Sequence, residues 1–381
     1  MINVETASQI FKAKLSFNAQ RTAFDIKADR AYPPFNRVMM DGIAVSFDEF
    51  QAGRREFLIE GVAPAGEPQK TLKLMTSSLE VMTGAPLPQG TDLVIPYEHI
   101  QLNAGKALVT IDLDRQRFEN IHAAGSDCKM GEVMLRAGSV VNGPNAGIAA
   151  SLGSKLTLTQ SPRVMIISTG DELVEVEETP APHQIRRSNV HALKYSLELN
   201  GFSDVTLDHL KDDPLAVANH YQKHAKEFDL LIYSGGVSKG KFDYLPNVWI
   251  EMGVTKHFHE VAQRPGKPLW FGTDEKNKTT VVGLPGNPVS SLVCLHRYLI
   301  PGRQIHVRLS EEVVFKKDLT YFLPVVLESR PDGALWAKPL KIKNSGEFSA
   351  LAGSDGFIEL PAEPSFFKAG EVFSFFSWRH F

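Results

Sequence analysis

The stretch Gly283-Leu-Pro-Gly-Asn-Pro-Val-Ser-Ser291 constrains this chain more than any other, because a short β-branched run, Thr280 to Val282, meets a proline- and glycine-rich break that opens a helix. Val289, Leu292, Val293, Leu295 and Leu299 follow at helical spacing. Pro288 suits the first helical turn, where its missing N–H is no loss, and Asn287 suits the N-cap. A glycine loop at a helix N-terminus offers unpaired N–H groups and the positive end of the helix dipole to an anion. Standing alone, the stretch reads first as an ordinary strand-to-helix turn.

Two further stretches repeat the design. Leu230-Leu-Ile-Tyr-Ser-Gly-Gly-Val-Ser-Lys-Gly240 and Val164-Met-Ile-Ile-Ser-Thr-Gly-Asp-Glu172 are apolar strands that end in polar glycine turns. Strands separated by helical stretches, with glycine loops at their carboxyl ends, imply an open, doubly wound α/β sheet with a ligand crevice above those ends. The alternation runs through strand 163–168, a helix from Ser188, strand 204–207, a helix from Pro214, strand 230–233, a helix near Tyr244 to Met252, strand 254–258 and strand 280–283.

On either side the pattern changes. Val4, Ala7, Phe11 and Leu15 share one face of an N-terminal helix, and Asn142 to Gly153 reads as a second helix, so a helical layer made from both is expected. Between them lie short strands, Phe57 to Ile59, Ser78 to Met82, Leu93 to Ile95 and Ala107 to Ile111, which read as a β-rich insertion. Within it, Asp41 precedes a glycine after the proline-constrained loop Pro33-Pro-Phe-Asn-Arg-Val-Met-Met40, and Thr83 sits in the stiff turn Met82-Thr-Gly-Ala-Pro-Leu-Pro88. After Pro301 short strands follow at Val307 to Leu309, Tyr321 to Leu327, Leu335 to Pro339, Gly356 to Leu360 and Val372 to Phe376, as in a small barrel or sandwich. The aromatic tail, Phe366, Phe367, Phe373, Phe375, Phe376 and Trp378, is expected in its core.

At 381 residues the chain has room for two or three domains. Its net charge of −3 supplies no basic field for nucleic acid, so an anion must be held by local arrangement. The two cysteines, Cys128 and Cys294, lie far apart without metal-ligand spacing, which implies a reducing compartment. The N-terminal residues lack a signal-peptide pattern and no segment approaches the ~20 apolar residues of a membrane span, so a cytoplasmic location is expected.

The crevice loops collect carboxylates: Asp171 and Glu172 after the first strand, Asp212 and Asp213 after the second, Asp243 after the third. Acids at adjacent loop tips repel unless a cation joins them, and Mg²⁺ held through water and a ligand's phosphate is the natural guest. Fixed donors share the loops: the amides of Ser234-Gly235-Gly236-Val237-Ser238 and of Gly286-Asn287, with the hydroxyls of Thr169, Ser234, Ser238 and Ser290. Arg264 and Lys267 in Arg264-Pro-Gly-Lys-Pro268 add positive charge. Acids for a metal beside glycine nests for a phosphate describe a phosphorylated or nucleotidylated ligand. No nucleophile elbow, Walker loop or dinucleotide fingerprint accompanies them.

The segments PPFNRVMMDGIAV, MTGAPLPQGTD, GSDCKMGEVMLRAG, IISTGDELV, QIRRSNVHAL, SGGVSKGKFDY, RPGKPLWFG, GLPGNPVSS and NSGEFSALAGSDGFIELP, in this order from about residue 30 to 361, resemble the molybdopterin molybdenumtransferase family of the MoeA type. That resemblance implies a four-part chain: a helical linker (1–25 and 140–160), a β-rich insertion (26–139), a doubly wound molybdopterin-binding domain (161–303) and a C-terminal β-barrel (304–381). It implies a transferase that inserts molybdate into adenylylated molybdopterin with Mg²⁺ present and AMP leaving. A homodimer whose site is shared between subunits is implied too, with the upstream adenylyltransferase and downstream molybdoenzymes as further partners, and neither nucleic acid nor membrane. By motif, the catalytic residues are Asp41, Thr83, Asp127, Glu172 and Asp243. Substrate contacts fall to Ser234, Gly235, Gly236, Ser238, Arg264, Lys267, Pro285, Gly286, Asn287 and Ser349, and metal contacts to Glu172, Asp212, Asp213 and Asp243.

Several positions depart from the family pattern. Glu260 stands for a basic residue, Arg264 for the first lysine of its motif, His122 for an arginine, Ser126 for an acid, Asn36-Arg37 for Asp-Asn and Arg187 for an acid. A lost charged donor to an oxyanion is typically worth ~1.5–3 kcal/mol. Two other readings therefore stand beside the transferase: a non-catalytic molybdopterin-binding carrier or scaffold, and a molybdopterin adenylyltransferase built on the same doubly wound domain.

Overall fold

Val164 to Ile167 are buried on both faces, Val164 and Ile166 in one apolar cluster and Met165 and Ile167 in another, as a central parallel strand requires. The computed structural model describes residues 1–15, 21–111, 114–238, 243–300, 305–340 and 344–379. They form two units, Met1–Gln20 with Gln160–Phe381, and Arg21–Thr159. Lys239, Gly240 and Pro301, named above, lie outside the described residues.

The larger unit begins with α1 (Val4–Lys14) and continues through β1 (Arg163–Thr169), α2 (Ser188–Leu199), β2 (Asp204–Leu210), α3 (Pro214–His224) and β3 (Leu230–Ser234). Then come α4 (Leu245–Glu251), β4 (Thr255–His259), β5 (Trp270–Asp274), β6 (Thr279–Leu284) and α5 (Pro288–Cys294), whose last turns widen into a π-helix over Leu295–Leu299. The strands form one sheet in the order β2-β1-β3-β6-β5-β4. The first four are parallel, and β5 runs antiparallel to both of its neighbours. This reversed edge is absent from the sequence reading. Trp270-Phe-Gly-Thr-Asp274 is too short an apolar run to separate from the Pro-Gly-Lys-Pro loop before it, although all five residues are buried.

The apolar face of α1 packs on this sheet, with the Phe11 ring 4.2 Å from Phe271 and 5.5 Å from Phe258. α1 falls in the larger unit and helix Gly143–Ser151 in the other. The same unit ends in a closed barrel of β7 (Ile305–Leu309), β8 (Thr320–Ser329), β9 (Leu335–Pro339), β10 (Gly356–Leu360) and β11 (Val372–Ser377), ordered β8-β9-β7-β11-β10-β8. Phe367 and Phe375 fill its core, and Phe366 is exposed.

The smaller unit centres on a six-stranded sheet ordered 93–96, 42–45, 78–81, 56–63, 106–109 and 100–103. Strand Gly42–Val45 follows directly on Asp41, and Ile95 O would lie 2.0 Å from a Cβ at Gly42, so only glycine fits there. Both cysteines are free and buried. Among the described residues no helix is long and apolar enough to cross a membrane.

Candidate active site

The carboxyl ends of β1, β3 and β6 open into one cavity of about 560 Å³, a volume typical of small-molecule sites. Its wall includes Thr169, Gly170, Glu172, Asp212, Ser234, Gly235, Gly236, Ser238, Asp243, Pro285, Gly286 and Asn287. The three glycine loops expected to converge therefore do so. The backbones of two of them touch, since a Cβ built on Gly286 would stand 3.6 Å from the Cα of Gly235.

Glycine is required at the turns. Gly235 and Gly236 have φ of +106° and +67°, and a Cβ on Gly236 would lie 2.8 Å from Leu245 Cδ1. The Gly235 amide is already spent on Leu284 O at 3.1 Å, whereas the amides of Gly236, Gly286 and Asn287 meet no protein acceptor among the described residues. Asn287 occupies the N-cap position of α5 without capping it: its Nδ2 donates instead to Ser345 Oγ at 2.8 Å. His259 Nε2 lies 2.7 Å from Val237 O and fixes the glycine turn from behind.

The acids divide. Asp212 is in the wall and Asp213 is not, because the Asp213 carboxylate caps α3, accepting from Leu215 N and Ala216 N at 3.2 and 3.1 Å. Burial, together with the charges of Asp171, Glu172 and Asp243, pushes the Asp212 carboxyl above the usual carboxylate range. No three of these acids bring ligand atoms within 4.8 Å of one another among the described residues. An oxygen-only donor set suits a hard cation that keeps several waters, as Mg²⁺ does, rather than a closed cage.

Arg264, Lys267 and Ser349 are absent from the wall. The backbone of Arg264 pairs with Tyr321 of β8, and Ser349 lies in the short turn Phe348–Leu351. Two other basic residues, Arg186 and Arg187, at the start of α2, line the cavity. Arg186 Nε donates to Glu178 O at 3.1 Å, and Arg187 Nε lies 3.0 Å from Glu175 Oε2. Asn189, which the sequence reading passed over, donates to Ser234 Oγ and to Gly286 O, and so ties two glycine loops together. An asparagine one residue inside a helix start, beside two arginines, was the available signal.

The other unit holds the remaining candidates in two clusters. Thr83 donates to Asp41 Oδ1 twice, from N at 2.6 Å and Oγ1 at 2.7 Å, which lowers the Asp41 pKa. Arg37 and His122 face each other across a two-residue ladder, with Arg37 Nη2 3.1 Å from His122 Nδ1. His122 Nε2 in turn lies 2.6 Å from Asp127 Oδ1, and Ser126 Oγ donates to the same oxygen. A guanidinium only donates, so Nδ1 accepts and the ring's proton sits on Nε2. The bond from His122 lowers the Asp127 pKa most, with Ser126 adding to it.

Three family models match this chain in sequence: the MoeA N-terminal region (domain I and II) over residues 3–153, the probable molybdopterin binding domain over 165–303 and the MoeA C-terminal region (domain IV) over 306–378. A Synechocystis molybdopterin molybdenumtransferase is 53% identical over 357 residues, covering 93% of this chain and 92% of the relative. A Haemophilus influenzae protein of the same name is 30% identical over 94% of this chain and 91% of its own. Among solved structures, the Pyrococcus horikoshii molybdopterin biosynthesis MoeA protein aligns with a TM-score of 0.80 at 23% identity, covering 99% of this chain and 100% of that one. With all three models matched in order along its length, the chain belongs to the MoeA family.

Proposed function

We propose that this protein is a molybdopterin molybdenumtransferase, a transferase that takes adenylylated molybdopterin and molybdate and releases AMP and the molybdenum cofactor. One observation carries the reading: the amides of Gly236, Gly286 and Asn287, unengaged among the described residues, share a single cavity wall with Glu172, Asp212 and Asp243. Amides and arginines suit phosphate and molybdate oxygens, and acids suit a divalent ion bridging to phosphate. An adenylyltransferase or a non-catalytic carrier would not perform the same exchange.

In this reading the loop amides and the Arg186 and Arg187 guanidinium groups hold the substrate's anionic oxygens. Asn189 keeps the Ser234 and Gly286 loops at a fixed separation, so the phosphate bridge is presented in one orientation. The work is positioning and charge stabilisation in a partly closed site. Glu172, Asp212 and Asp243 are the residues that would hold Mg²⁺. When bound, such an ion neutralises charge developing at the phosphate bridge. Asp41, Thr83 and Asp127 contribute catalytically, and Arg264, Lys267 and Ser349 contribute to binding. A homodimer and a cytoplasmic location belong to this reading, as do the four domains with boundaries near residues 25, 140, 160 and 303.

The test is direct. Purified protein supplied with adenylylated molybdopterin, molybdate and Mg²⁺ releases AMP and yields cofactor able to activate an apo-molybdoenzyme. Tight pterin binding without AMP release overturns the reading in favour of a carrier, and consumption of ATP with unadenylylated molybdopterin overturns it in favour of an adenylyltransferase. Sedimentation of the full chain checks the dimer.

A further inference from the structure

A second set of ligand-bearing side chains lies at the edge of the sheet, between β2 and α3, and does not line the cavity. Asp208, on β2, and His220 and His224, on α3, bring one ligand atom each to within 4.8 Å of one another. The two histidines are four residues apart on one helix, which places them on the same face, and their rings stand 4.6 Å apart. His220 Nε2 lies 3.1 Å from Asp208 Oδ2. Two ligands on a tetrahedral zinc with bonds of ~2.0–2.1 Å are separated by roughly 3.3 Å, so this pair already has the spacing of two ligands of one ion.

The surroundings match what a bound transition ion needs. His224 Nδ1 lies 2.9 Å from Glu227 Oε2, which leaves Nε2 as the nitrogen to ligate, and a carboxylate on the other nitrogen of a ligating imidazole orients the ring and raises its basicity. The His220 side chain is 8% exposed and that of His224 12%, whereas Asp208 is 42% exposed and leaves a path for the ion from solvent. His220 Nε2 already faces the Asp208 carboxylate, and its Nδ1 is buried with no hydrogen-bond partner among the described residues. Two imidazoles and one carboxylate are too soft a set for Mg²⁺, whose ligands are oxygens, and they suit zinc or a neighbouring divalent transition ion.

We propose that Asp208, His220 and His224 form a site for a divalent transition metal ion, zinc by donor set, distinct from the acids of the cavity. Three protein ligands leave a fourth position for water. The ion fastens the outermost parallel strand to the helix that follows it, and the intervening loop carries Asp212. Metal at this edge therefore steadies one wall of the cavity from outside it.

The experiment uses the full chain stripped with a chelator and titrated with Zn²⁺ against a millimolar Mg²⁺ background, which keeps the cavity acids from scoring as zinc ligands. One equivalent of Zn²⁺ per chain is expected, with a raised unfolding midpoint. His224→Gln and Asp208→Asn should each weaken binding at least about tenfold. Co²⁺ in place of Zn²⁺ should give visible absorption bands that are lost in both variants, and unchanged far-UV circular dichroism of the metal-free variants confirms that they fold. Substoichiometric uptake by the wild type overturns the proposal, as does zinc affinity unchanged in both variants. Asp243→Asn, which alters only the cavity, should leave the zinc affinity as it was, and a tenfold loss there would overturn the assignment equally.

Discussion

Asn189 Nδ2 lies 2.7 Å from the carbonyl oxygen of Gly286, and the same amide reaches Ser234 Oγ at 3.2 Å. Two loops from different strand ends are thus set by one side chain on α2. Asn189→Ala removes both bonds, each worth about 1 kcal/mol, so unfolding free energy should fall by about 1–2 kcal/mol. AMP release should fall more than stability does, by about tenfold or more in kcat/KM, because a small misplacement of oriented donors is costly. Denaturant unfolding measured beside steady-state kinetics separates the two.

At Gly170, φ is +140° and a Cβ would stand 2.5 Å from Glu172 Oε2. Gly170→Ala is therefore strained, by about 1–3 kcal/mol, and displaces the Glu172 carboxylate. The Mg²⁺ concentration giving half-maximal AMP release should rise. A variant with wild-type Mg²⁺ dependence would show that Glu172 does not contribute to holding the ion.

Asp212 titrates above its unfolded value because of burial and the charges of Asp171, Glu172 and Asp243. Between those two values the folded state binds more protons than the unfolded one, so this group's contribution to stability falls as pH rises through that window. A divalent cation in the cavity offsets the repulsion only once the acids are ionised. Midpoint shifts on adding Mg²⁺ should accordingly be larger at pH 7 than near pH 4, and Asp212→Asn should reduce that difference.

His296 is 4% exposed, and burial pushes its pKa down to about 4. The unfolded chain binds the proton first, so stability is present above the ordinary histidine value and is lost as pH falls from about 6.5 towards 4. The loss across that window is about 3 kcal/mol. His296→Leu should flatten the acid limb of a stability-against-pH curve.

In the smaller unit, Thr83→Val removes the hydroxyl that contributes most to lowering the Asp41 pKa and keeps the backbone bond. NMR titration of Asp41 should show its pKa moving part of the way back to the ordinary value.

Strand–glycine–helix order in the doubly wound domain was legible because parallel strands buried on both faces are continuous apolar runs, as Leu230 to Tyr233 shows. The barrel strands were legible as short apolar runs separated by Pro, Gly and Asp. What escaped depends on direction and reach in space. Strand β5 is too short to be told from its loop, Asp212 and Asp213 differ only in which one caps α3, and Asn189 acts across 97 residues of chain. Arg264 and Lys267 carry the expected charge, and the backbone of Arg264 belongs to the barrel edge, whereas the basic residues that line the cavity are Arg186 and Arg187.

Gln263 and Arg264 ladder onto Thr320 and Tyr321 of β8, and Ser345 receives the Asn287 amide. Removing everything after residue 303 would therefore do more than shorten the protein. It would strip the backbone partner from the hairpin that leads to Pro268 and the only side-chain acceptor of Asn287 among the described residues, so a trimmed pterin domain would keep its sheet and lose the tautness of its rim.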